Sequence, residues 1–589
     1  MDYLTCADLH LARECPTKLY YKKHGYQTDR AIDHQEQGLA SGSLILEKIA
    51  QILYPNGIPC PHSTPHLKAG TTWFNAQFLS AGKLARIDIL VVQDDRLEII
   101  DIKNKTFDSK ENRELELYRQ SNIFRSKRTG AVNGEWRSSI EEVAWQKWIL
   151  QELYPQWHID CFLLMPDRYK TCAIANLLGQ FRITDRGQVE FLGNPEELQA
   201  QHFLALVNIN PEVAEVLPSL QASAVEYLRQ LELGFPKVIS PLGKHCRDCE
   251  FSQGYRECWG ELALVQPHIF DLYQMGRLNG SGQPLVNELI SQGKVSMYDI
   301  PPAELTDSAY NQRQLIQMEY TKKNQEWISP RLGKLLRSYS YPLHFIDFET
   351  ARTLIPAVAG LRPNEQITFQ WSCHTFVDAT SAPIHQDWIE VENPFPNLEF
   401  AQSLIQHLRQ FGEHKGTVFT WGSHETSVLK DLHRQMALYG YDHLPLHRSL
   451  AKFISKTKFV DLDSVTRSHY FHPLMKNRTS LKVVVAAIWH SYPYLHQVPH
   501  FRPYLVDNPP AGEILSPYSA LPKQIIADRP TGISDGNSAM LAYWEIVCGR
   551  SKDNPQLIAK WLKLLRQYCC LDTMAMIMIW HHWYTQTEV

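Results

Sequence analysis

A chain of 589 residues is long enough for two to four domains with several buried cores. With 44% apolar and 21% charged residues it is neither a disordered tail, a collagen nor a coiled-coil rod. A net charge of −4, from 59 Lys+Arg against 63 Asp+Glu, gives no global basic field, so any binding to nucleic acid rests on local patches. No run of about 18 apolar residues is present. The N-terminal stretch MDYLTCADLHLARECP carries acids and lacks the apolar centre of a secretory signal. These features lead us to expect a cytoplasmic protein with no membrane partner. Twelve cysteines in such a chain point to metal binding or catalysis rather than to a disulfide scaffold.

Apolar spacing predicts a helix over 37–54, stopped by Pro55, Asn56 and Gly57. Strand-like runs follow at 71–79, 84–92 and 97–103, the last two joined through Gln93, Asp94 and Asp95 as a hairpin. Helices are expected at 109–124 and 139–153, a strand at 158–165 stopped by Pro166, and a cysteine cluster at 246–258. The stretch 260–340 reads as a helical, irregular connector. A second set of strands is expected at 343–348, 366–374 and 416–421, with helices at 424–439, 478–490 and 555–582. Strands followed by helices indicate a mixed α/β domain. The Pro- and Tyr-rich stretch 491–535 reads as an ordered long loop.

Three groups of residues carry chemistry. In the first, strand alternation puts Asp101 and Lys103 on one face and Ile100 and Ile102 on the other, with Asp88 on the neighbouring strand. Two carboxylates hold a hard divalent cation that polarises a phosphate, and a lysine beside them stabilises developing negative charge. The same spacing also suits a solvent-facing ion pair on a hairpin. In the second, Cys246 and Cys249 form a CxxC, Cys258 follows, and Cys15 stands near the start of the chain. A CxxC with a third cysteine nearby makes most of a tetrahedral or cluster ligand set. Cys15 is the candidate fourth ligand, with Cys6 as its rival; a zinc site on the same ligands, or with His245 in place of Cys15, is the alternative. In the third, Asp347 and Glu349 share one face of a strand, and Tyr568 and Asp572 sit at i, i+4 on a helix. Such a group suits two divalent ions clamping a phosphodiester, with a tyrosine hydroxyl orienting the attacking water.

Asp88, Asp101 and Lys103 resemble the PD-(D/E)XK nuclease motif. Gln146 matches the glutamine of the QxxxY motif of RecB-like members, although the fifth place here is Leu150. The helix with Gly42 has no histidine; it offers Glu47, read as a surface residue. The cysteine set, with Cys15, Pro16, Tyr20 and Tyr21, resembles the iron–sulfur nucleases of the RecB-like group. That resemblance implies a [4Fe–4S] cluster on Cys15, Cys246, Cys249 and Cys258, clipping the two ends of the domain together. Asp347, Glu349, Tyr568 and Asp572 resemble ribonuclease-H-like DEDDy exonucleases. Glu425 stands where their middle motif carries an aspartate, and Asp461 is its rival.

The whole chain is similar to a bacterial family that joins these two domains. The implied fold is α/β: a PD-(D/E)XK restriction-endonuclease-like domain with an Fe–S clip over 1–262, a helical connector over 263–340, and a ribonuclease-H-like mixed-sheet domain over 341–589. The implied activity is a Mg- or Mn-dependent nuclease, exonucleolytic on single-stranded DNA or DNA ends, with RNA as a possible substrate. Its role would lie in repair, recombination or defence. The alternative is a nucleic-acid-binding scaffold with one or both sites inactive. Two basic segments, Lys18, Lys22 and Lys23, and Arg119, Arg125, Lys127 and Arg128, are candidates for tracking phosphates.

Overall fold

The computed structural model describes residues 3–28, 34–60, 64–109, 122–184, 187–280, 283–306, 308–356, 358–393, 395–412, 415–506, 512–526, 528–547, 549 and 551–588. The chain is mixed α/β and divides into two compact units. The first comprises Met1–Pro241, Asp248–Trp259 and Arg352–Glu365; the second comprises Leu242–Arg247, Gly260–Ala351 and Gln366–Val589. The expected connector thus belongs to the second unit. Its helices, Gln283–Ser291 and Ala309–Lys323, are linked by 3₁₀ turns. The Arg352–Glu365 excursion from the second half of the sequence joins the first unit, where Gly360 N–H donates to the Cys172 carbonyl at 2.7 Å.

In the first unit a six-stranded sheet has the order Gly57–Pro59, Thr71–Ser80, Lys83–Val92, Arg96–Ile102, His158–Pro166 and Leu204–Asn208, beside a separate pair of Phe181–Ile183 with Val189–Phe191. The three strands from Thr71 to Ile102 are antiparallel neighbours, and Arg96–Ile102 runs parallel to His158–Pro166. A parallel pair needs a crossover, and the Gly134–Leu153 helix supplies it, capped by Asn133, whose side chain accepts from Trp136 N–H at 3.0 Å. That helix packs Ile140, Val143, Ala144 and Ile149 against Ile87, Leu90, Ile99 and Leu163. The other face is covered around Ala50 of the His34–Leu53 helix, with Phe74, Ile89, Ile100 and Leu164. Both faces are buried, which is why the 84–92 run reads as almost continuously apolar rather than alternating. Most of the expected helix at 109–124 lies outside the described residues.

In the second unit a five-stranded sheet has the order Ile384–Ile389, Gln366–Phe376, Leu343–Arg352, Thr417–Thr420 and Lys458–Asp461. Leu343–Arg352 is therefore central, with Thr417–Thr420 and then Lys458–Asp461 added in parallel. The first of these parallel strands starts at a close backbone approach. Gly416 has φ +85°, and a Cβ there would lie 2.0 Å from the Pro342 carbonyl oxygen, so only glycine fits. Along the central strand Ile346 and Phe348 enter one core with Phe400, Leu404 and Leu429. Leu343 and Phe345 enter the other, built from the Leu481–Ser491 helix and the Pro555–Gln586 helix. Alternation then places Asp347 and Glu349 on the side of the long C-terminal helix. The 491–535 stretch is a chain of 3₁₀ turns and one short strand pair, Gln524–Ile526 with Arg529–Thr531. No helix among the described residues is long and apolar enough to cross a membrane.

Candidate metal centres

The first centre lies where the sheet of the first unit opens. The register that pairs Ile89 with Ile100 places Asp88 opposite Asp101 when continued by one residue. Asp88 caps the end of that ladder: its Oδ2 accepts from Ile102 N–H at 2.8 Å. Opposite it on the other side, Asn75 has φ +55°. There the inward pattern of Lys83–Val92 changes phase, since Ala85 and Ile87 enter the same core face as Leu90 and Val92. This local kink frees Asp88 from simple alternation.

Lys103 Nζ stands 2.6 Å from Asp101 Oδ2 and 2.6 Å from Glu142 Oε2. Burial pushes the Asp101 carboxyl up to about 7, with Asp88 and Glu142 adding to the shift and Lys103 opposing it. Burial also raises Asp88, to about 6, despite its backbone bond, and Glu47 and Glu142 add repulsion. Burial works against the Lys103 ammonium, but Asp101 and Glu142 outweigh it and hold its pKa above the ordinary lysine value. Gln146 donates from Nε2 to the Arg86 carbonyl at 2.9 Å and reaches Asp101 Oδ1 at 3.4 Å. Its Oε1 is buried with no hydrogen-bond partner. Asp88, Asp101 and Lys103 therefore come together, with Gln146 beside them, in a buried setting rather than as a solvent-facing hairpin pair. Glu47, read from sequence as a surface residue, is half-buried, and burial raises its pKa. A hard cation fits here, because it answers the repulsion among three carboxylates and gives the Gln146 carbonyl oxygen a partner.

The second centre is more enclosed. Glu349, Glu425 and Asp572 are buried and Asp347 is half-buried. One carboxylate oxygen each of Asp347 and Glu349 and the Cys569 sulfur lie within 4.8 Å of one another. Burial raises the pKa of all four carboxyls. Asp572, Glu349 and Glu425 push Asp347 further, and Asp572 and Glu425 push Glu349 further. Asp461 and Asp572 add to Glu425, which stands at about 8, whereas hydrogen bonds and Lys482 restrain Asp572 to about 6. Glu425 Oε2 is buried with no hydrogen-bond partner. Four acids that cannot all ionise together, one with an orphaned oxygen, fit hard divalent cations.

Asp461, the rival of Glu425, lies close enough to add to its shift. It ends its strand and caps the Leu462–His469 helix, its Oδ1 accepting from Gly422 N–H at 2.8 Å and Asp463 N–H at 2.9 Å.

Around the acids stand Tyr568 and groups that sequence reasoning did not assign. Tyr518, from the 491–535 loop, donates its hydroxyl to Asp572 Oδ1. Tyr568 also hydrogen-bonds Asp572, and its hydroxyl accepts from Lys482 Nζ at 2.9 Å. Lys482 lies over both rings, 5.3 Å from the Tyr518 centroid and 4.8 Å from that of Tyr568. The Cys569 thiol donates to Asp347 Oδ2 at 3.3 Å. Tyr568 is thus already engaged by a lysine and an acid, so its first role is to hold Asp572. Of these added residues Cys569 is marked only by its place next to Tyr568 on the Pro555–Gln586 helix.

The cysteine group is placed in part. Cys15 ends one helix and precedes the next, Pro16–Lys23. From that helix Tyr21 donates to the Gly254 carbonyl at 2.9 Å and lies 3.0 Å from Cys258 Sγ, 237 positions away in the chain. A Cβ on Gly254 would meet the Tyr21 ring at 2.3 Å, so glycine is what lets the two segments close. The two ends of the first unit thus meet, as a clip requires. Cys15 is buried and Cys249 and Cys258 are half-buried in this unit, while Cys246 falls in the Leu242–Arg247 segment of the other. The donor set, thiols at the joined ends of one unit, suits a thiophilic metal group.

The basic segments are largely consumed by ion pairs. Lys18 is buried between Glu14 and Glu250, Lys22 and Lys23 both hold Asp8, and Arg125 holds Glu212 and Glu215. These residues stabilise the unit rather than form an open phosphate track. Lys127 and Arg128 are exposed, and Arg119 lies outside the described residues.

Residues 344–480 match the family described as Domain of unknown function (DUF2779). That stretch contains Asp347, Glu349 and Glu425 and stops short of Lys482, Tyr518, Tyr568 and Asp572. No curated protein and no solved structure matches the chain.

Proposed function

We propose that this protein is a divalent-metal-dependent nuclease that hydrolyses DNA phosphodiester bonds. On this reading it has a RecB-like PD-(D/E)XK centre in the first unit and a ribonuclease-H-like DEDDy centre in the second. The observation that carries the reading is the convergence of Asp347, Glu349, Glu425 and Asp572 from one strand and two helices into one buried neighbourhood. Burying four carboxylates costs stability unless cations neutralise them. Asp347, Glu349, Glu425 and Asp572 would hold Mg²⁺ or Mn²⁺, which would supply Lewis-acid activation of the phosphodiester. The chain's own groups prepare that site. Tyr518 and Tyr568 orient Asp572, the Cys569 thiol orients Asp347, and Lys482 places positive charge beside the acids. In the first unit Gln146 holds Asp101, and Lys103 supplies the positive charge.

Purified full-length protein incubated with labelled single- and double-stranded DNA tests the reading. Cleavage with Mg²⁺ or Mn²⁺ and none in EDTA is the expected result; binding without cleavage under every metal condition would make the protein a scaffold. RNA cleavage without DNA cleavage would change the substrate.

The raised carboxyl pKa values give a pH prediction. An acid whose folded-state pKa exceeds its unfolded value favours the fold while protonated, and that advantage disappears as pH rises through the folded value. For Glu425 and Asp572 this window runs from the ordinary carboxyl range up to about 8 and about 6. In EDTA the melting temperature of the second unit should therefore fall as pH rises across this window. Mg²⁺ should restore it, more at the alkaline end than at the acid end. A melting temperature in EDTA that rises steadily with pH would contradict the shared-site reading.

We also propose that Cys15, Cys249 and Cys258 are thiolate ligands of an iron–sulfur cluster; the fourth ligand, Cys246, is assigned from the sequence pattern. Anaerobically purified protein should be brown and carry about four irons per chain. Cys15→Ser should lose the iron and lower the melting temperature of the first unit, because ligation and folding are coupled. Stoichiometric zinc without iron or sulfide would replace the cluster by a zinc site.

A further inference from the structure

The antiparallel pairing of Gln366–Phe376 with Ile384–Ile389 sets His374 directly opposite His385. Opposed residues share one face of a sheet, and the two rings pack with centroids 4.4 Å apart. The Pro555–Gln586 helix brings Cys570 to the same place. One ring nitrogen of each histidine and the Cys570 sulfur all lie within 4.8 Å of one another. Cys569 and Cys570 are consecutive, and successive helical residues point about 100° apart. Cys569 therefore serves Asp347 while Cys570 faces the histidine pair.

The surroundings are those of oriented ligands. The His374 Nδ1 is 2.7 Å from the Thr573 hydroxyl, and Thr573 Oγ1 is 3.0 Å from Ser372 Oγ. Ser372 Oγ in turn lies 3.1 Å from His385 Nε2. One hydroxyl chain thus fixes both rings, as hydrogen bonds to the second nitrogen do for metal-bound histidines. Burial, with His385 and His500 beside it, lowers the pKa of His374 and keeps that ring neutral, the form that coordinates.

We propose that His374, His385 and Cys570 form a binding site for one zinc-class, thiophilic ion, distinct from the carboxylate centre. Two imidazoles and a thiolate are a borderline-soft set that selects Zn²⁺ over Mg²⁺ or Mn²⁺, whereas the neighbouring acids select the hard ions. On binding, Cys570 loses its thiol proton to solvent and its sulfur lone pair forms the metal bond. Three protein ligands leave a fourth position for water. The ion ties the sheet edge to the helix that carries Tyr568 and Asp572, so it steadies the second centre without taking part in it.

Full-length protein stripped of metal by chelation, then titrated with Co²⁺ as the spectroscopic stand-in for Zn²⁺ in excess Mg²⁺, tests the site. The wild type should show a sulfur-to-cobalt charge-transfer band, part of which Cys570→Ser and His385→Gln each remove, together with one bound cobalt per chain. His385 is exposed on the edge strand, so its substitution leaves the core intact. Zn²⁺ should raise the melting temperature of the wild type more than that of His385→Gln. Equal cobalt content and equal band intensity in the wild type and both variants would overturn the site.

Discussion

Asp347→Ala and Asp572→Ala are each expected to lower cleavage by the second centre on the order of a thousandfold, because a lost metal carboxylate removes several kcal/mol of transition-state stabilisation. The measurement is made in an Asp101→Ala background, where the first centre is silent, with the labelled substrate on which that background remains active. Tyr568→Phe and Tyr518→Phe should cost less, since each leaves the other tyrosine bonded to Asp572. Glu425→Gln separates catalysis from folding. It removes one member of the repelling set, so in EDTA above pH 8 it should raise the melting temperature while lowering the metal-dependent rate. A variant that loses rate and stability together would show that Glu425 is a structural acid. Unchanged cleavage on every substrate after Asp347→Ala would make the second unit a binding module.

Asp101→Ala and Lys103→Ala are expected to remove the activity of the first centre, again on the order of a thousandfold for the carboxylate. Asp101 is the member that touches most of the others: it pairs with Lys103, is reached by Gln146 and stands opposite Asp88. Lys103→Ala leaves a buried acid without its counter-charge, so it should raise the Asp101 pKa and shift the pH–rate profile to the alkaline side. Lys103→Arg keeps the charge and should restore the profile more fully than the rate. The second centre should keep most of its rate in either variant, since the two acid sets belong to separate units and distant sites act nearly independently. Loss of all cleavage in Asp101→Ala, with no effect of Asp347→Ala, would leave one working centre.

Much of this arrangement was legible in the residues. Alternation alone put Asp101 with Lys103 and Asp347 with Glu349, and the i, i+4 rule put Tyr568 beside Asp572, because strand and helix periods fix which neighbours share a face. The runs at 71–79, 84–92 and 97–103 became adjacent antiparallel strands, since short turns leave little other choice. The strand Leu204–Asn208 and the edge strand Ile384–Ile389 carried no such signal, because the first is short and only partly buried and the second is broken by His385, Gln386 and Asp387.

What the sequence could not supply is every contact made across long separations by groups without a local pattern. Tyr518 sits in a Pro-rich loop whose path is set by packing, and only the fold brings it to Asp572, 54 positions away. Glu47 looks like any helix-surface acid until the sheet beneath it places Asp88 within its field. Glu425 and Asp461 differ in their backbone donors: Asp461 caps a helix, a role that depends on where Gly422 and Asp463 lie in space. The basic segments illustrate the converse. Lys18, Lys22, Lys23 and Arg125 read as open charge in the sequence, and the tertiary structure closes them onto Asp8, Glu14, Glu212, Glu215 and Glu250. Period and spacing are local properties that a sequence determines by itself; the neutralisation of a charge, and the acids that must share one buried place, are decided only when distant segments pack together.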